Sequence, residues 1–165
     1  MLPEKLFFPM SASIKRIPCL TVACLLASCV SPKFERAWKG AAQGGGAGQR
    51  WEGRWQSERS THGGRLRAVL REPVNGKMEA FFEAGWHGFT TAYPVELDAV
   101  RRRKKYELTG EHRLRSCIGG GTYHYSGTME PGRFFTNYTS DYDTGSFSLT
   151  PLPLDATKTP PPDQR

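Results

Sequence analysis

The chain has 165 residues, a formal charge of +7, 38% hydrophobic residues and 12% aromatic residues. That length leaves room for one domain with flanking segments rather than for two domains. The apolar content excludes a multi-span membrane protein, and the aromatic content argues against a chain that is disordered throughout.

Taken in chain order, the first feature is an address. Lys15 and Arg16 precede an uncharged run, IPCLTVACLLAS, over residues 17–28. Twelve residues are too few to cross about 30 Å of hydrocarbon, but they match the apolar region of a signal peptide. Met10, followed by SASIKR, would open a shorter leader than Met1. The run ends in Leu26-Ala27-Ser28-Cys29, which resembles the lipobox of bacterial lipoproteins. The resemblance implies cleavage before Cys29 and a lipid on its thiol, hence a membrane partner and a place in the bacterial cell envelope. No aspartate follows Cys29, where Val30 and Ser31 stand. In a Gram-negative source this implies the outer membrane, facing the periplasm. A plain secretory signal with a chance cysteine is the competing reading. Cys19 and Cys24 would leave with residues 1–28, so Cys117 alone would remain unlipidated and no internal disulfide is expected.

Residues 29–50 contain four glycines in the five positions 44–48. They are read as a flexible, cationic tether, because such a stretch loses too much backbone entropy on ordering. Residues 151–165 hold five prolines and are read as a disordered tail. The folded unit is then residues 51–150. It carries fourteen basic and twelve acidic residues, a net +2, so the basic balance of the whole chain does not point to nucleic acid. Its dense basic run, Arg101-Arg102-Arg103-Lys104-Lys105, is expected at a solvated strand turn, with an anionic-ligand site as the alternative.

Inside this unit the apolar period is two, the mark of half-buried strands. Leu66, Ala68 and Leu70 alternate with Arg65, Arg67 and Arg71. Met78, Ala80, Phe82 and Ala84 then lie opposite Lys77, Glu79 and Glu83, and Asn75-Gly76 supplies a hairpin turn. Phe89, Tyr93, Val95 and Leu97 share a face. So do Tyr106, Leu108, Gly110, His112 and Leu114. Gly119-Gly120-Gly121 interrupt the chain before Tyr123, Tyr125, Gly127 and Met129 align. Pro131-Gly132 turns into Phe134, Thr136 and Tyr138, and Asp143-Thr144-Gly145 turns into Phe147 and Leu149. With residues 51–58 at the front this predicts eight strands and no helix. The fold class is all-β, an up-and-down antiparallel barrel closed to remove its edges, with a two-sheet sandwich as the alternative.

Trp51-Glu52-Gly53-Arg54-Trp55 contains Gly53-x-Trp55, which resembles the G-x-W signature opening the barrels of the calycins, the lipocalin and avidin group. The resemblance implies a lipocalin-like barrel in which Trp55 plugs the closed end and Gly53 lets a neighbouring chain pass close by. Thr139-Ser140-Asp141-Tyr142 is similar to the T-D-Y motif of lipocalins with one serine inserted. The late arginine of that family is missing from Gly145-Ser146-Phe147-Ser148-Leu149-Thr150-Pro151.

No catalytic motif stands out: there is no G-x-S-x-G, H-E-x-x-H or phosphate loop. His62, His87, His112 and His124 are scattered, with His112 and His124 on opposite faces, so neither a metal site nor an enzyme is expected. Glu79 and Glu83 read as solvated charges, and Asp141 and Asp143 as turn-bonding side chains. The inward rings Phe82, Tyr93, Tyr106, Tyr123, Tyr125 and Tyr138 suggest a wall for a small amphipathic ligand. The alternative is that these rings fill the barrel and that its outer surface meets an envelope protein.

Overall fold

In the computed structural model the two-residue period of the sequence becomes a closed sheet. The structure describes residues 31–41, 48–114 and 120–153. Eight strands follow one another: β1 (Gln49–Ser57), β2 (Gly63–Leu70), β3 (Lys77–Trp86), β4 (Phe89–Arg102), β5 (Lys105–Arg113), β6 (Thr122–Glu130), β7 (Arg133–Thr139) and β8 (Thr144–Pro151). Each pairs antiparallel with its neighbour in sequence, and β8 closes on β1, pairing Trp51 with Pro151 and Ser57 with Gly145. Closure leaves no sheet edge and removes the sandwich alternative.

Turn chemistry sets the register. Asn75 (φ 51°) and Gly76 (φ 76°), and His87 (φ 45°) and Gly88 (φ 84°), occupy the left-handed region in the β2–β3 and β3–β4 connections. That conformation matches the twist of tight hairpins, and Asn and Gly adopt it at little cost. Leu66, Met78, Phe82, Leu97, Leu108, Phe134, Thr136 and Leu149 are then wholly inside. A one-residue slip would send each of these strands' apolar faces to solvent.

Gly53 shows why β1 and β8 can lie so close. A Cβ there would overlap the carbonyl oxygen of Ser148, a backbone atom held in the β1–β8 ladder. Gly53→Ala is expected to cost about 1–3 kcal/mol, the usual range for overpacking. Urea denaturation would register this as a lower midpoint at unchanged slope.

The region read as a tether needs correction over part of its length. α1 (Pro32–Ala41) is a helix packed on the outer face of β1, β2 and β3. Ser31 caps it, its Oγ accepting from the Phe34 amide at 3.3 Å, and Pro32 stands at the first helical position. Glu35 lies in the first turn and Lys39 in the last, complementing the helix dipole. Phe34 and Ala41 are fully buried. Phe34 meets Phe81 edge to face at 5.2 Å and Trp38 at 5.8 Å.

The helix also changes the reading of Glu83, which is buried rather than solvated (5% exposed). Glu83 Oε1 accepts from Arg67, and the same guanidinium reaches Glu35 of α1 at 2.6 Å. Arg67 further lies over the Phe34 and Trp38 rings at 5.1 and 5.0 Å. Phe89, expected inside, is exposed (73%), because it follows the β3–β4 turn and lies beyond the last layer of core side chains. The glycine-rich positions 44–47, Cys29, Cys117 and residues 154–165 of the tail lie outside the described residues. Among the described residues no helix is long and apolar enough to cross a membrane.

Candidate functional site

The two ends of the barrel differ. At one end stand the β1–β2, β3–β4 and β7–β8 connections, and among the described residues side chains and hydrogen bonds fill the interior here. Trp55 is half-buried there and donates from Nε1 to the carbonyl of Gly85 at 3.0 Å. Asp143 is the hub. Its Oδ1 accepts from Ser57 Oγ at 2.7 Å and from the Thr144 amide at 2.9 Å, and its Oδ2 accepts from the Tyr138 hydroxyl at 2.8 Å. Arg59 adds a strap, donating to Thr144 Oγ1 and to the Asp141 carbonyl, both at 3.0 Å. Asp143 therefore bonds its turn, as the sequence suggests, and also ties three strands together. The Thr139-Ser140-Asp141-Tyr142 segment spans this β7–β8 connection, where Ser140 Oγ accepts from the Asp143 amide at 3.0 Å.

The middle of the barrel is filled by rings. Phe82 lies 6.1 Å from Tyr93, 5.9 Å from Phe134 and 5.4 Å from Phe147. Phe147 continues to Tyr125 at 6.0 Å and to Tyr138 at 5.1 Å, and Tyr138 meets Tyr123 at 5.8 Å. Centroid spacings near 5–6 Å are those of packed aromatic pairs. Of the six rings read as a ligand wall, Phe82, Tyr93, Tyr125 and Tyr138 belong to this buried stack. Tyr123 packs at its edge, half-buried, and Tyr106 is half-buried away from it at the other end. An eight-stranded barrel is just wide enough to be filled in this way.

Burial raises the pKa values of the Tyr93, Tyr125 and Tyr138 phenols well above the ordinary tyrosine value, and the bond to Asp143 raises that of Tyr138 further. These hydroxyls stay neutral across physiological pH, and that of Tyr138 donates to Asp143. The Tyr125 hydroxyl is buried without a well-formed hydrogen bond.

His112 caps the stack from the inner face of β5, parallel to Tyr93 at 5.7 Å and 16°. His124 faces outward, with Nδ1 3.6 Å from Glu111, so the two histidines do not converge. Among the described residues no group of three His, Cys, Asp or Glu side chains could hold a metal ion. Burial lowers the His112 pKa below 6.5. The unfolded chain therefore binds a proton that the folded chain releases, and stability rises with pH between the lowered folded value and about 6.5. Acidification through that window should lower the Tm of the native protein more than that of His112→Gln. Thermal melts at stepped pH read the difference.

The opposite end is open. There the β2–β3, β4–β5 and β6–β7 turns and the first and last strands surround an open concavity, the cup, of about 1240 Å³, which reaches over the rim to the outward-facing Lys77, Glu79 and Glu96. Both chain ends leave the barrel here, since Gly48 and Pro151 line the cup. Its floor is Trp51, Leu70, Tyr106 and Met129. Trp51, Leu70 and Met129 are buried and Tyr106 is half-buried, so the floor is the outermost layer of the core. Tyr106 pairs across to Met129 and Arg101, so the floor and the basic rim are one continuous piece of β5 and its neighbours. The rim is charged, with the run at 101–105 forming the β4–β5 turn as expected. The sequence pattern identifies Tyr106 but not Trp51, Leu70 or Met129 as cup residues. Their position depends on which ends of the strands the turns leave uncovered.

No family model, curated protein or solved structure matches the chain. What the geometry establishes is a small, closed, up-and-down antiparallel barrel of eight strands, a form consistent with a lipocalin-like fold.

Proposed function

We propose that this protein is a lipid-anchored envelope protein of bacteria, non-catalytic, whose barrel holds a small amphipathic ligand at its open end. The observation that carries the reading is the cup itself, a concavity at the open end with Trp51, Leu70, Tyr106 and Met129 at its base and charged residues around them. A concave, largely apolar surface with a few polar groups at its margin is the usual form of a small-ligand site. In this reading the ligand lies on the layer of Trp51, Leu70, Tyr106 and Met129 rather than among the rings that fill mid-barrel. The anchor rests on the basic cluster, the apolar run and Leu26-Ala27-Ser28-Cys29 in the sequence. The relation to calycins rests on Gly53-x-Trp55 and the barrel.

Native mass spectrometry of the protein from its own host tests both parts. The reading expects a covalent lipid mass that Cys29→Ser removes, together with a second, non-covalent mass that denaturation removes. A protein without the covalent mass contradicts the anchor. A protein without the non-covalent mass contradicts the ligand.

A second reading has its own observation. At the closed end, Trp86 and Phe89 flank the β3–β4 turn in solvent, with His62 5.2 Å and His87 4.9 Å from Trp86. An exposed aromatic tip of this kind suits contact with another envelope protein. A pull-down in which Trp86→Ala/Phe89→Ala recovers the same proteins as the native chain would remove that reading.

A further inference from the structure

The rim of the cup is unevenly charged. Arg71 is neutralised by Glu79 at 2.8 Å, and Lys77 by Asp98 at 2.8 Å and Glu96 at 3.4 Å. Arg102 pairs with Glu107 at 3.3 Å. Arg101, Arg103, Lys104 and Lys105 line the cup from the β4–β5 turn, and among the described residues none of the four forms an ion pair. The rim carboxylates without a cation are Glu72 and Glu130, beside the two flanking turns. The β4–β5 turn lies across the barrel from the strands through which both chain ends leave.

The turn's backbone adds a second observation. Arg103 has φ 57°, a conformation in which Gly or Asn is the usual residue. The other tight turns with such values use Asn75-Gly76, His87-Gly88 and Pro131-Gly132. Arg103 thus stands at the tip of its turn in a conformation that costs an arginine more than a glycine, as His87 does in the β3–β4 turn.

We infer that the cup takes an anionic amphiphile. Its alkyl chain lies on Trp51, Leu70, Tyr106 and Met129, and its anionic headgroup meets Arg101, Arg103, Lys104 and Lys105. The inference rests on the open end being the ligand site and adds the sign and position of the ligand's charge. Guanidinium groups offer paired donors to a carboxylate or phosphate, and ammonium groups add point charge beside them. Four cations without ion pairs, clustered on one turn and set against the separate Glu72 and Glu130, bias that side of the margin toward anions. The apolar floor excludes a bare anion as the best ligand, because nothing on it replaces that ion's water.

The test uses the full chain and four probes: dodecyl phosphate, dodecylphosphocholine and dodecyltrimethylammonium below their micelle concentrations, and inorganic phosphate. Titration calorimetry at low salt is expected to show dodecyl phosphate binding about tenfold or more tighter than dodecylphosphocholine, the difference that charge-assisted hydrogen bonds supply. Added salt should narrow that gap. The fourfold variant Arg101→Gln/Arg103→Gln/Lys104→Gln/Lys105→Gln should lose it while still binding dodecylphosphocholine. Arg103→Gly relieves the turn, so it should keep its Tm and still bind dodecyl phosphate more weakly, which separates recognition from folding. Equal binding of the three amphiphiles would overturn charge selection and leave the ligand site standing. Inorganic phosphate binding as tightly as dodecyl phosphate would reduce the site to a simple anion patch and overturn the inference. Absence of binding by every amphiphile would overturn the ligand site together with it.

Discussion

Phe82→Ala is expected to cost the barrel about 3–5 kcal/mol, the range for deleting a buried aromatic side chain. Phe82 is fully buried and touches three rings from three other strands, Tyr93 of β4, Phe134 of β7 and Phe147 of β8. It thus bridges opposite walls, and its loss would leave a void that rigidly paired strands cannot close. Domains of this size are stable by about 5–15 kcal/mol in total. The variant should therefore lose on the order of 20 °C in Tm, at several degrees per kcal/mol. Chemical denaturation with an unchanged slope and a much lower midpoint would confirm a packing loss. A change within about 1 kcal/mol would mean that the rings do not form the central plug.

Arg67→Ala is the second large effect, because it strands a buried charge. Glu83 is only 5% exposed, and Arg67 is its cation. Removing one member of a buried pair costs about 3–5 kcal/mol, since the remaining charge is left in a poorly polarisable site. Glu35, on the helix, is more exposed and can turn to water. The loss should therefore fall on two things at once: global stability, and the hold of α1 on β2 and β3. Hydrogen exchange over residues 32–41 should speed up more than exchange in the barrel strands. Arg67→Met/Glu83→Leu should recover most of the stability, because the pair can be replaced by well-packed apolar groups. If Arg67→Ala alone is neutral, the pair is not buried in solution and the helix is held by Phe34 and Trp38 alone.

Much of the barrel is legible in the sequence because alternation is a local signal. Leu66-Arg67-Ala68 and Met78-Glu79-Ala80 announce one buried face each, and Asn75-Gly76 fixes the turn between them. The helix has a local signal too, in Ser31-Pro32 followed by Phe34, Trp38 and Ala41 at spacings of four and three. The adjacent glycines at 44–48 draw the whole segment toward a tether reading. Glu83 could not be placed from the strand pattern, since alternation puts it outside and only α1 buries it. The ring cluster shows a different limit. Alternation says that Phe82, Tyr93, Tyr125 and Tyr138 point inward, but not whether they line a space or meet across it; the barrel's radius decides that. The run at 101–105 reads as a turn, while its lack of carboxylate partners emerges only once Glu107 is seen to take Arg102.

Binding of an amphiphile on the cup floor, and not among the rings at mid-barrel, can be read by tryptophan quenching with 12-bromododecanoate. Trp51 is on the floor, Trp55 is at the closed end, and Trp38 and Trp86 are outside the barrel interior. Bromine quenches only the indoles it approaches. A ligand on the cup floor gives saturable quenching that Trp51→Phe abolishes and that Trp55→Phe and Trp86→Phe leave intact. Quenching that survives Trp51→Phe and disappears in Trp55→Phe or Trp86→Phe would place the ligand elsewhere and rule out the cup as its site.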